Sequence, residues 1–241
     1  MIPKKIHYCW FGRGKKPQSA IDCINSWEKF LPDYEIKEWN EDNFDLDLYP
    51  YTREAYNSKK YAFVTDVVRL YAIYHEGGIY MDTDVEVLKS MDRLLHHEAY
   101  SGFESNDNIP TGLMASEKES TWAKEMLDYY NGRHFILDNG ELDQTTNTTI
   151  ITNLMTPKGV ILNNTFQEVG GLTLYPSEYF CPKDHTTGSI RLTPNTYCIH
   201  HFNGSWLSKD KRARHKIKTT LIKLFGEKLI NGLLSFIRGR R

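Results

Sequence analysis

The chain predicts an α/β fold with a mostly parallel central sheet. Three observations carry that expectation. Short apolar runs of strand type recur along the chain, stretches with helical spacing lie between them, and glycines and polar turns punctuate the boundaries. The 241 residues are 40% hydrophobic and 25% charged, an ordinary globular balance with enough length for a sizeable core.

In chain order, KIHYCW reads as a first buried strand. SAIDCINSWEKFL has helical spacing through Ile21, Ile24, Trp27 and Phe30 or Leu31, with Ser19 as its N-cap. YEIKEW alternates and reads as a second strand, followed by a polar stretch through Asp42 to Pro50. KYAFVTDVVRLYAIYHEGG places Phe63, Val64, Val67, Val68, Tyr71 and Tyr74 at helical spacing, and Gly77 supplies the C-terminal cap. IYM and VEVL read as short strands on either side of Asp82–Thr83–Asp84, and AYSGFE and GLMAS as further strands. STWAKEMLDYYN is a helix capped by Ser120, and TIITNLM is another. GVIL, LTLY and TYCIHHF are late strands.

In such a sheet, ligands gather at the carboxyl ends of strands, and Asp82 and Asp84 leave a strand at that kind of edge. Residues two apart in extended chain point the same way, so both carboxylates converge. That suits a hard divalent cation such as Mg2+ or Mn2+, which completes its shell with waters and a ligand phosphate. A solvated strand end is the bland alternative, because Asp favours turns. A second triplet, Asp45–Leu46–Asp47, sits in the polar stretch and fits that alternative better. An Asp-dependent phosphatase would want Thr or Val where Glu86 stands, and an EF-hand loop would need further acids and a glycine that are missing.

Asp66 and Arg69 lie three apart on the predicted helix and share a face, as an ion pair, as ligand contacts, or as both. Trp10 ends a strand, where its ring either joins the core or stacks on a base. His200 and His201 alternate faces, so at most one points at a metal.

TDVVRLYAIYHEGGIYMDTDVEVL, the opening IPKKIHYCWFG and the late IHHFNGSW resemble, in that order, the D-x-D glycosyltransferases of the capsular-polysaccharide and Och1-like mannosyltransferase group. They are also similar to the catalytic domain of the large clostridial glucosylating toxins. The resemblance implies a GT-A domain over residues 1–206 that binds a nucleotide sugar, UDP-linked or GDP-linked, with Mn2+ or Mg2+ on its diphosphate. It implies that Trp10 stacks on the base and that Asp66, Arg69 and Tyr80 face the nucleotide sugar. Asp82, Asp84 and His201 would hold the metal, and Asn203, Ser205 and Trp206 would line the diphosphate and donor. Retaining transfer to a glycan or lipid-linked glycan, in surface polysaccharide synthesis, is likewise implied. Asp82, Asp84 and Arg69 would carry the chemistry, and Glu104, Glu178 and Asp184 are further carboxylates placed to touch sugar or acceptor. A non-catalytic nucleotide-sugar or glycan-binding module is the other reading.

Residues 207–241 hold 11 Lys and Arg against 2 Asp and Glu. Ile222, Phe225, Leu229 and Leu233 form one stripe of a basic amphipathic helix, which either docks on the domain or lies on an anionic membrane. Nucleic acid is not expected, because basic and aromatic residues are not interleaved. The four cysteines form no C-x-x-C and fit reduced thiols in a cytosol. The N-terminus has no apolar leader core, and no run is apolar and long enough to span a bilayer. The expected location is therefore cytoplasmic, with peripheral attachment at the inner membrane face.

Overall fold

A computed structural model describes residues 1–104, 108–184, 187–204, 217, 220–222 and 226. The chain runs β1 (Lys5–Cys9), α1 (Gln18–Phe30), β2 (Glu35–Trp39), α2 (Pro50–Asn57), α3 (Tyr61–Glu76), β3 (Gly78–Met81) and β4 (Val85–Val87). It continues through β5 (Ala99–Gly102), β6 (Leu113–Ser116), α4 (Thr121–Asp128), α5 (Asn147–Met155), β7 (Gln167–Val169), β8 (Leu172–Tyr175) and β9 (Cys198–His200). Seven strands form one sheet in the order β2-β1-β3-β6-β5-β8-β7, and β4 pairs with β9 in a separate ribbon. β1 is parallel to β2 and β3, and β5 to β8. β6 runs against β3 and β5, and β7 against β8, so five of the seven strands point one way.

Both faces of the sheet are covered, which explains strands that are apolar along their whole length. Ile79 and Met81 of β3 pack with Trp27 and Leu31 of α1 on one face. Tyr80 between them turns to the other face, among Val64, Val67 and Val68 of α3. β6 divides the same way, with Leu113 and Ala115 on one side and Met114 on the other. α3 is apolar nearly all round because it lies under the sheet between α2 and α4. Gly77 ends it with φ +67, its N–H bonded to Ile73 O, and a Cβ there would meet Lys118 N at 2.7 Å. Only glycine joins this helix to β3 so tightly.

Several expectations change. Ser19 falls inside the first turn of α1, and Pro17 stands at the N-cap with its fixed φ of −67° and no side-chain bond. Ser120 caps α4 as expected, accepting from Ala123 N. GVIL forms no strand: a 3-10 turn over Thr156–Lys158 ends at left-handed Gly159, and Ile161 is exposed. α2 begins at Pro50, a residue suited to the first helical position, directly after the polar stretch. β7 is a three-residue edge strand, too short for its alternation to register. No helix among the described residues is long and apolar enough to cross a membrane. Ser205, Trp206 and most of the basic tail lie outside the described residues, although Ile222 is buried.

Candidate active site at the Asp-x-Asp turn

β1 and β3 are parallel and adjacent, so Trp10 and Asp82 leave the sheet at the same edge. Gly112 enters β6 at that edge and accepts the Asp82 N–H through its carbonyl at 2.8 Å. Asp82 to Val85 then close a turn, with Val85 N donating to Asp82 O at 3.0 Å. The extended geometry expected from sequence is absent, yet the carboxylates converge because the turn folds them together.

A buried guanidinium organises the inner side. Arg69 is 5% exposed and donates from Nη1 to Thr111 O at 2.6 Å. Its Nη2 lies 3.2 Å from Asp66 Oδ1 and 3.4 Å from Asp82 Oδ1, and its plane sits 4.8 Å from the centre of the Tyr80 ring. The Tyr80 hydroxyl donates to Asp82 Oδ1 at 2.7 Å. Burial pushes Asp66 up to about 7, against the pull of Arg69 and with added repulsion from Asp82. Asn147 at the start of α5 donates to the Asp66 carbonyl at 3.0 Å and ties that helix to the site.

The outer side is built by Asp84 and the strand β9. Asp84 Oδ2 accepts from Asn203 N at 2.8 Å, and Oδ1 lies 3.3 Å from His200 Nε2. Burial alone would raise the Asp84 carboxyl, but the His200 charge and hydrogen bond, with the Asn203 N–H, hold it down at about 2. Burial opposes charge on His200 as well, yet Asp84 keeps this imidazole well above its usual range. Gly112 makes the approach possible: a Cβ on it would lie 2.6 Å from His200 Cε1 and 2.8 Å from Nδ1.

The histidine assignment is therefore corrected. His200, not His201, stands with Asp82 and Asp84, their ligand atoms all within 4.8 Å of one another. β9 alternates, so His201 faces away and binds Glu86 Oε2 at 2.8 Å. Asn203 reaches the site through its backbone rather than its side chain. Trp10 is half-buried at the edge, its indole N–H donated to Gly14 O at 2.6 Å. Glu178 is engaged with Asn195, and Asp184 with Thr187. Gly112, Thr111 and Asn147 were not anticipated; their contribution comes through carbonyls, an absent Cβ and a long-range amide, which leave no local pattern.

Two carboxylates and an imidazole at this separation form a donor set that fits a divalent cation.

The Asp-x-Asp turn thus stands at the carboxyl edge of an open α/β sheet, where such sheets bind their ligands, backed by a buried Asp–Arg pair. Residues 17–101 match the family model described as the glycosyltransferase sugar-binding region containing DXD motif. Inositol phosphoceramide mannosyltransferase 3 of Schizosaccharomyces pombe is 33% identical over 121 residues, 48% of this chain and 34% of that protein. Subversion of eukaryotic traffic protein A of Legionella pneumophila is 28% identical over 111 residues, 35% of this chain and 17% of that protein. The chain thus spans about a third or less of the length of these curated relatives. Among solved structures, the glycosyltransferase GlyE of Streptococcus pneumoniae TIGR4 superposes with a TM-score of 0.49 at 9% identity, over 98% of this chain and 64% of that one.

Proposed function

We propose that this chain transfers a hexose from a nucleotide sugar to a hydroxyl of a glycan or lipid-linked glycan, with Mn2+ or Mg2+ held by Asp82, Asp84 and His200. The observation that carries the reading is the convergence of those three ligand atoms beside the buried Asp66–Arg69 pair. A divalent cation bound there supplies positive charge to a diphosphate leaving group. The chain's own residues do the positioning. Arg69 and the Tyr80 hydroxyl orient Asp82, the Asn203 N–H orients Asp84, and Trp10 offers an aromatic face at the rim. Asp66 faces the donor sugar.

A UDP-sugar is the first donor to test and a GDP-sugar the second. The setting we propose is surface polysaccharide assembly at the cytoplasmic face of a membrane, with retention at the sugar carbon. A thermal-shift panel of nucleotide sugars with Mn2+ tests binding, because a ligand that favours the folded state raises its apparent stability. Release of nucleoside diphosphate tests turnover. We expect a Mn2+-dependent shift with one donor, and release that falls by about two orders of magnitude or more in Asp84→Asn. Binding without release overturns transfer in favour of a binding module, and no shift with any donor overturns both.

A further inference from the structure

An open cavity of about 620 Å³ lies between the outward face of α5 and the segment that leads into β6. Thr149, Thr152 and Asn153 of α5, with Thr156 at its C-cap, recur at helical spacing and line the cavity together with Asn108. Leu162 and Pro157 add apolar surface. None of these described lining residues carries a charge, in a chain that is 25% charged.

The wall is also rich in unused hydrogen-bonding capacity. Among the described residues, the side-chain amides of Asn108 and Asn153 have no partner. Thr152 Oγ1 accepts from Ile109 N at 3.0 Å and keeps its own O–H to donate. Thr156 Oγ1 donates to Thr152 O at 2.7 Å and keeps its lone pairs. Neutral donors and acceptors around a small apolar surface match a pyranose, which presents hydroxyls at its edge and C–H groups on its faces. They do not match a phosphate or carboxylate, which would draw Arg or Lys.

The cavity is coupled to the Asp-x-Asp turn by one short segment. Asn108 stands four positions before Gly112, whose carbonyl holds Asp82, so it lies within about 14 Å of Gly112 along the backbone. We infer that this groove is a subsite for an uncharged oligosaccharide, the acceptor of the transfer, whose sugar units bind along α5 while its terminal hydroxyl reaches the donor. The acceptor role rests on the function proposed above; saccharide binding by the groove does not.

Direct binding to the full chain tests the subsite without any turnover. Mannotriose, maltotriose and globotriose are titrated by NMR, with sialyllactose and inositol 1-phosphate as anionic comparators. We expect a neutral trisaccharide to move α5 resonances, and exposed Asn153→Trp, which fills the groove, to weaken binding about tenfold or more. The milder Thr149→Val with Thr156→Val keeps the shape and should weaken it too. The Mn2+-dependent donor shift should survive in both variants. Failure of every neutral trisaccharide to bind, equal binding by Asn153→Trp, or preference for the anionic comparators overturns the subsite. Loss of the donor shift in wild type with trisaccharide binding intact overturns the transferase reading and leaves the subsite standing.

Discussion

The molecule contains the same triplet twice, and the two copies do different work. Asp45 accepts from Asp47 N at 2.9 Å and starts a 3-10 turn, while Asp47 takes Arg53 Nε and Nη2 at 2.6 and 2.7 Å. Every carboxylate there is spent on residues a few positions away. Asp82 and Asp84 are held by Arg69, Gly112, His200 and Asn203, all distant in sequence. A D-x-D is built to hold a ligand when distant segments of the fold position its carboxylates to converge with a further donor. It stays a turn when local partners neutralise it.

The largest effect should follow from removing the charge behind the second triplet. Arg69→Met leaves Asp66 and Asp82 facing each other in the interior, and we expect a loss of about 3–5 kcal/mol in urea denaturation. A loss below about 1 kcal/mol would mean the pair is already dispensable, and the contrast between triplets would weaken.

Acid should act on the scaffold that carries the second triplet rather than on the first. His7 is fully buried in β1, with Nε2 donating to Gly77 O at 2.8 Å and Nδ1 accepting from Trp39 Nε1 at 3.0 Å. The Trp39 N–H requires an unprotonated Nδ1, and burial lowers the ring's pKa to about 4 from 6.5. The unfolded chain therefore binds the extra proton first. Stability is complete above pH 6.5 and is lost as pH falls toward 4, by about 3 kcal/mol. Denaturation between pH 7 and 4.5 measures it, and His7→Gln should flatten that part of the profile.

The paired histidines sharpen the comparison next. His200→Gln should weaken Mn2+ binding by about 10–100-fold, whereas His201→Gln, which only breaks a contact with Glu86, should leave it near wild type. Calorimetric titration separates them, and a larger loss in His201→Gln would reverse the assignment. The smallest effect belongs to the first triplet. Asp47→Asn should leave diphosphate release and melting temperature at wild-type levels, since its pair with Arg53 is exposed.

Much of the fold was legible. The helix through Asp66 and Arg69 shows its period over sixteen residues, and Gly77 marks its end because few other residues tolerate φ +67. The short strands on both sides of the aspartates were visible as apolar runs. β7 and α2 were not, because three residues show no period and a proline-led helix reads like a loop. The direction of β6 was also hidden, since an apolar strand carries no sign of which way it runs.

The sequence by itself determined the layered α/β plan, the carboxylate pair at a strand end and the Asp–Arg face of one helix, because each depends on residues within a few positions of one another. Tertiary structure alone decided that His200 rather than His201 stands beside Asp82 and Asp84, and that Gly112 must lack a side chain. Those outcomes depend on strand register and on atoms brought together from distant segments, and a one-residue change of register would turn the other histidine inward.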